Sequence, residues 1–201
     1  MKKVKIAVTG GIGSGKSTAI SYIRDLGFPV FSCDQIYGEI IQTDEFIQKI
    51  ANVFPETIIN GKIERGILGE IVFSNPKKRE ELNAIAHPLI MRVLFQRMDT
   101  CEYEYVFAEV PLLFEGNFEN QFDKIIVISQ SETKRIEYVQ KRNNLSEEEI
   151  KNRINAQFKY DSLEGLARLK KCKAFVIQNT STKEELFIRI QEVIDKIKKQ
   201  S

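Results

Sequence analysis

The hydrophobic and polar positions along the chain alternate between two periods. Lys3 to Thr9 is a short apolar run rich in β-branched residues, and it predicts a buried strand. Glycines follow. Ser17 to Leu26 then carries apolar residues at helical spacing (Ile20, Ile23, Leu26), with Gly27 as a stop just past the last of them. Pro29 to Ser32, Tyr105 to Ala108, Lys124 to Ile128 and Ala174 to Ile177 read as further strands, separated by helical patterns. Strands alternating with helices predict an α/β fold with a parallel five-stranded sheet.

Two stretches exceed what a crossover between strands needs. Ile63 to Thr100 is helical in pattern, with breaks expected at Asn75-Pro76 and His87-Pro88, because a residue before proline is pushed out of the helical region. Ser131 to Arg168 is dense in charge and contains a capping box, Ser146-Glu147-Glu148-Glu149. Both read as inserts covering a site. The core would then comprise residues 1–60, 101–130 and 169–201, with one insert at about 61–100 and another at about 131–168, all in one unit spanning 1–201. Thr182 to Lys199 is a final amphipathic helix whose lysines suit the negative end of its dipole.

Composition narrows the class. With 42% hydrophobic and 29% charged residues in 201, the chain has the balance of a soluble globular protein rather than a disordered one. The longest uncharged stretch begins at Ile6 and ends at Lys16, too short to span a bilayer. The start Met1-Lys2-Lys3-Val4 is basic and then apolar, but it breaks into glycines without a cleavage site, against a signal peptide. Cys33, Cys101 and Cys172 are too scattered for a disulfide framework or a zinc site, and the single histidine excludes a two-histidine metal motif. A cytoplasmic location is expected. A net charge of +2 makes no case for nucleic-acid binding, and nothing calls for an obligatory protein partner.

The strongest chemical signal is Gly10-Gly11-Ile12-Gly13-Ser14-Gly15-Lys16-Ser17-Thr18, which satisfies G-x-x-x-x-G-K-[ST] between a strand and a helix. Glycines let the backbone approach phosphates, and N–H groups from Gly13 to Ser17 converge on phosphate oxygens at the positive end of the following helix. Lys16 is expected on the β- and γ-phosphates and the Ser17 hydroxyl on Mg²⁺. Alone, the motif does not choose between kinase, ATPase and GTPase. No Asn-Lys-x-Asp guanine-reading motif is present, and Tyr105 to Ala108 is followed by a single acidic residue, Glu109. A small-molecule kinase becomes the leading class. Asp34 follows the second strand, where ligands bind in open parallel sheets. It suits a base for an acceptor hydroxyl, a holder of Mg²⁺ through water, or an N-cap for a helix starting at Gln35.

Several segments, the phosphate loop among them, resemble the dephospho-CoA kinase family. They are Val8 to Thr18, Arg65-Gly66-Ile67-Leu68 running on to Phe73, and Leu82 to Ile90 with its His87-Pro88-Leu89-Ile90. Pro111-Leu112-Leu113-Phe114-Glu115, Arg142 to Ser146, Arg153 to Gln157, and Val176-Ile177-Gln178-Asn179 follow in the family's order. The resemblance implies a three-layer P-loop kinase fold of the nucleoside-monophosphate-kinase type, with a helical acceptor-binding insert and a helical lid. It implies transfer of the γ-phosphoryl group of ATP to the ribose 3′-hydroxyl of dephospho-CoA, the last step of coenzyme A synthesis, with Mg²⁺.

On the same ground Asp34 matches the catalytic carboxylate, Arg142 the lid arginine on the ATP phosphates, and Asn179 the start of the adenine-contacting loop. The resemblance favours His87 as an acceptor contact over a satisfied helix-end histidine. Arg65 suits a phosphate or carboxylate-like partner or a surface charge, and Pro111, Leu112 and Leu113 suit an acceptor wall or core packing. Ser32 replaces the first residue of the family's Asp-x-Asp, Glu109 stands where Asp is common, and Ala174 replaces another common Asp. Competing readings are a different small-molecule P-loop kinase and a regulatory or structural ATPase.

Overall fold

In the computed structural model, residues 3–180 and 182–200 are described, so Met1 and Lys2 of the basic start lie outside them. In chain order the first elements are β1 (Val4–Thr9), α1 (Lys16–Asp25), β2 (Val30–Ser32), α2 (Cys33–Ile40) and α3 (Asp44–Val53). A short hairpin of β3 (Ile58–Ile59) and β4 (Lys62–Ile63) leads to α4 (Arg65–Ser74) and α5 (Pro76–Thr100). Then come β5 (Tyr105–Glu109), β6 (Lys124–Ser129), α6 (Glu132–Asn143), α7 (Glu147–Asn155), α8 (Leu163–Lys171), β7 (Phe175–Gln178) and α9 (Lys183–Gln200).

The main sheet is five-stranded in the order β2-β5-β1-β6-β7. Strand β1 pairs in parallel with β5 on one side and β6 on the other, placing Ile6 opposite Phe107 and Lys124. A central parallel strand is covered on both faces, which is why Ile6, Ala7, Val8 and Thr9 are all buried and why the segment reads as a continuous apolar run. Helix α9 lays Leu186, Ile190, Ile194 and Ile197 against this core, and Tyr22 of α1 stacks on Phe187 at 4.1 Å. Each such buried aliphatic side chain contributes about 1.5–3 kcal/mol. Helix α1 ends at Asp25 with Leu26 as its C-cap, and Gly27 beyond it, at a φ of 84°, is the left-handed stop expected there. The capping box at Ser146 is formed, with Glu149 reaching back to the Ser146 backbone.

The chain divides into two compact units: residues up to Val30 together with those from Cys101 onward, and Phe31–Thr100. The expected insert began near residue 61, whereas the compact unit begins at Phe31. The reason is that α2, α3 and α4 all pack on α5. Ile36, Ile40, Phe46 and Ile50 of α2 and α3 are buried, as are Leu82, Leu94 and Met98 of α5.

The break expected at His87-Pro88 does not occur, because Pro88 lies inside the continuous helix α5. The preference against helix before proline is overridden there by the buried row Ala86, Leu89, Met91 and Leu94. The break at Asn75-Pro76 is real: Asn75 is extended, and Pro76 is the first residue of α5, where its missing N–H costs nothing. The hairpin turns on Asn60-Gly61, both at positive φ (50° and 73°), as a two-residue turn requires.

Candidate active site

The loop from Gly10 to Gly15 connects β1 to α1, and Lys16 is the first residue of that helix. Gly13 and Gly15 hold φ of 76° and 94°, a region side chains disfavour. Crowding adds to the demand for glycine. A Cβ at Gly15 would lie 2.3 Å from Asn179 Nδ2, and one at Gly13 would lie 2.7 Å from the Arg135 carbonyl oxygen. The Lys16 ammonium donates to Glu109 Oε1 at 2.9 Å, with both side chains only 15% exposed. Glu109 ends β5 directly opposite Val8 of β1, so the sheet register brings this carboxylate to the loop. The Ser14 hydroxyl is buried without a hydrogen-bond partner among the described residues.

The loop is held from two further directions. Asn179, just past β7, donates through Nδ2 to the Ser14 carbonyl at 2.9 Å. Its own backbone N–H donates to the Ser129 carbonyl at 2.7 Å. Arg135 of α6 donates through Nε to the Ile12 carbonyl at 2.8 Å, while the Ile12 N–H donates to Gln157 Oε1 at 2.8 Å. Burial lowers the Arg135 pKa, opposed by Tyr160, Glu132 and Asp161. Tyr160 approaches Thr9, with the two hydroxyl oxygens 3.4 Å apart, and burial pushes its pKa up to about 12, so it stays a neutral phenol. Beside the loop lies a cavity of about 440 Å³, lined by Gly11, Ser14, Gln130, Arg135, Tyr160 and Thr180 among others.

The other expected site residues separate into two groups. In the first unit, Arg142 is exposed in the last turn of α6, and its Nε donates to Asn143 Oδ1 at 2.7 Å. The arginine that touches the phosphate loop is Arg135, seven residues earlier. In the loop after β5, Leu112 is 37% exposed, whereas Leu113 and Phe114 are fully buried. Leu113 therefore lies beneath that loop, while Leu112 is exposed beside half-buried Pro111.

In the second unit, Asp34 is exposed in the first turn of α2, whose N-cap is Ser32. The N-cap alternative for Asp34 thus gives way to a position inside the helix. Arg65, the first residue of α4, donates to the Gly38 carbonyl at 3.3 Å. Burial raises the pKa of Tyr37, and the nearby Arg65 charge opposes that shift. Burial also lowers the pKa of half-buried His87 on α5.

Residue-type reasoning missed Arg135, Gln157 and Tyr160. The close glycines forecast that something approaches the loop, but nothing local says what. Among the described residues no group of three or more His, Cys, Asp or Glu side chains can hold a metal by itself. Ser17 offers an exposed hydroxyl in the first turn of α1, and the carboxylate of Glu109 lies at the preceding lysine. Such a sparse all-oxygen donor set fits Mg²⁺, which takes one or two protein ligands and completes its shell with phosphates and water.

A parallel sheet ordered β2-β5-β1-β6-β7, with the phosphate loop leading from its central strand into α1, defines a P-loop kinase of the α/β class. The match to known proteins is more specific. The family model for dephospho-CoA kinase matches residues 4–185. A dephospho-CoA kinase from Oceanobacillus iheyensis is 36% identical, over 95% of this chain and 96% of its own. A crystal structure from Thermus thermophilus superposes with a TM-score of 0.81 at 30% identity, covering 98% of both chains. The dephospho-CoA kinase of Campylobacter jejuni does so with a TM-score of 0.67 at 32% identity and the same coverage. The chain belongs to the dephospho-CoA kinase family.

Proposed function

We propose that this chain transfers the γ-phosphoryl group of ATP to the 3′-hydroxyl of the dephospho-CoA ribose, yielding CoA and ADP. The observation that carries the reading is the phosphate loop with Lys16 at the head of α1, set in a chain matched to this family over residues 4–185. In phosphoryl transfer the protein positions the reactants and neutralises charge, with little covalent work of its own.

The N–H groups from Gly13 to Ser17 at the start of α1 bind the β- and γ-phosphates, with Gly11, Ile12 and Thr18 completing the ATP-binding loop. Lys16 exchanges Glu109 for these phosphates, placing its ammonium where charge develops. Ser17, with Asp34 through water, would hold Mg²⁺, which when bound would supply charge neutralisation at the phosphates. Arg142 and the lid at about 131–168 cover the phosphates and exclude water, which would otherwise take the phosphoryl group. Asn179 begins the loop that receives the adenine. Asp34 orients the 3′-hydroxyl and accepts its proton. Arg65, His87, Pro111 and Leu112 contact the acceptor, with the segment at about 61–100 as its binding insert. The scattered thiols of Cys33, Cys101 and Cys172 suit the reducing cytoplasm, where we place the reaction.

The test is ADP release with ATP and Mg²⁺, measured with and without dephospho-CoA. Strong stimulation by this acceptor, and not by nucleoside monophosphates or small sugars, is expected. Equal ADP release without acceptor would instead point to an ATPase.

A further inference from the structure

Gln157 lies just past α7 and is distant in sequence from the phosphate loop, yet it holds one end of the Ile12 residue. The Ile12 N–H donates to Gln157 Oε1 at 2.8 Å, and the Ile12 carbonyl accepts from Arg135 Nε at 2.8 Å. A second Arg135 nitrogen donates to the same Gln157 oxygen at 3.2 Å. Both partners of that oxygen are donors, so the amide can face them in only one orientation, acceptor inward. Ile12 is flanked by Gly11 and Gly13, the two most permissive residues available, so the chain does not stiffen this tip by itself.

Gln157 is itself anchored. The next residue, Phe158, stacks on Phe114 with ring centroids 4.5 Å apart, and its N–H donates to Glu115 Oε1 at 2.8 Å. Tyr160 meets Thr9 and packs edge-on against Phe158.

We propose that Gln157 is a positioning residue for ATP: its side-chain oxygen, shared by the Ile12 N–H and Arg135, fixes the tip of the phosphate loop in its binding shape. The inference deepens the kinase reading and rests on it. Two variants separate its terms. Gln157→Leu has similar bulk but no acceptor. Gln157→Glu keeps acceptor oxygens for both donors.

For Gln157→Leu, KM for ATP rises about tenfold or more while kcat stays within about threefold, because an unpaired loop N–H weakens nucleotide binding rather than the transfer step. Gln157→Glu stays near wild type. Binding of a fluorescent ATP analogue, read without acceptor, shows the same pattern, and thermal melting confirms that both variants fold. Unchanged analogue binding by Gln157→Leu overturns the proposal, as does an equal loss in both variants. Failure of the kinase reading is distinguishable. It appears as wild-type protein that binds the analogue but releases no acceptor-dependent ADP.

Discussion

Lys16 and Asp34 carry the predictions that belong to single side chains. Removing the Lys16 ammonium leaves the Glu109 carboxylate without the partner it holds at 2.9 Å and leaves the phosphates under-neutralised. Lys16→Ala is therefore expected to lower both ATP affinity and kcat, the latter by about 10²-fold or more. Steady-state kinetics check this, and full activity would remove Lys16 from the mechanism. Asp34→Asn keeps the shape of the side chain but not its basicity. Turnover should fall about 10²–10⁴-fold with ATP affinity retained, as read by titration with a fluorescent ATP analogue. Residues of this kind are legible in sequence when local backbone chemistry dictates them. The glycines at 13 and 15 mark left-handed positions, and the motif names Lys16 by its spacing from them. Arg135 has no such local signature, and Gln157 closes a family-like segment that by itself assigns it no role. In sequence they are an arginine and a glutamine among many polar residues of a charged stretch.

At the scale of elements, helix α5 shows how burial overrides a local rule. Pro88 removes one backbone donor from the helix interior, yet the helix continues because its apolar row is buried against α2, α3 and α4. Pro88→Ala is accordingly expected to stabilise the protein, by up to about 3 kcal/mol, since alanine restores the donor and the favoured helical conformation. Urea denaturation measures it, and a lower midpoint would show that the proline is needed to shape this segment. The strands were legible to within a residue or two because a buried parallel strand is an unbroken apolar run. The Asn60-Gly61 hairpin was also written in the sequence, in the one dipeptide that best supports two successive positive φ values. The run of helical spacing on either side concealed it. Helix α6 places Arg135 and Arg142 seven residues apart, about 10 Å along its axis. One arginine is on the phosphate loop and the other is at the exposed end, a difference set by where the helix packs.

For the whole molecule, pH enters through half-buried His87. Its folded pKa is lowered by burial, so between that value and the unfolded one the unfolded chain binds more protons. Stability from this group is then complete above the unfolded pKa and is lost as pH falls through the folded one. Between about pH 8 and about pH 5 the wild type should lose more thermal stability than His87→Gln, measured as paired melting temperatures. Equal losses would show that His87 does not contribute. The net charge of +2 also takes on a definite meaning at this scale. In the proposed reaction the polyanionic substrates would be met by a few cations at particular positions rather than by a basic surface.

The sequence alone determined the alternation of strands and helices, the phosphate loop and the family, because each is encoded in short-range spacing along the chain. Only the tertiary structure decided that Glu109 would pair with Lys16, that Leu113 would be buried and Leu112 exposed, and that Gln157 and Arg135 would grip Ile12. Those outcomes depend on sheet register and on the packing of helices far apart in the chain. No window of neighbouring residues contains that information.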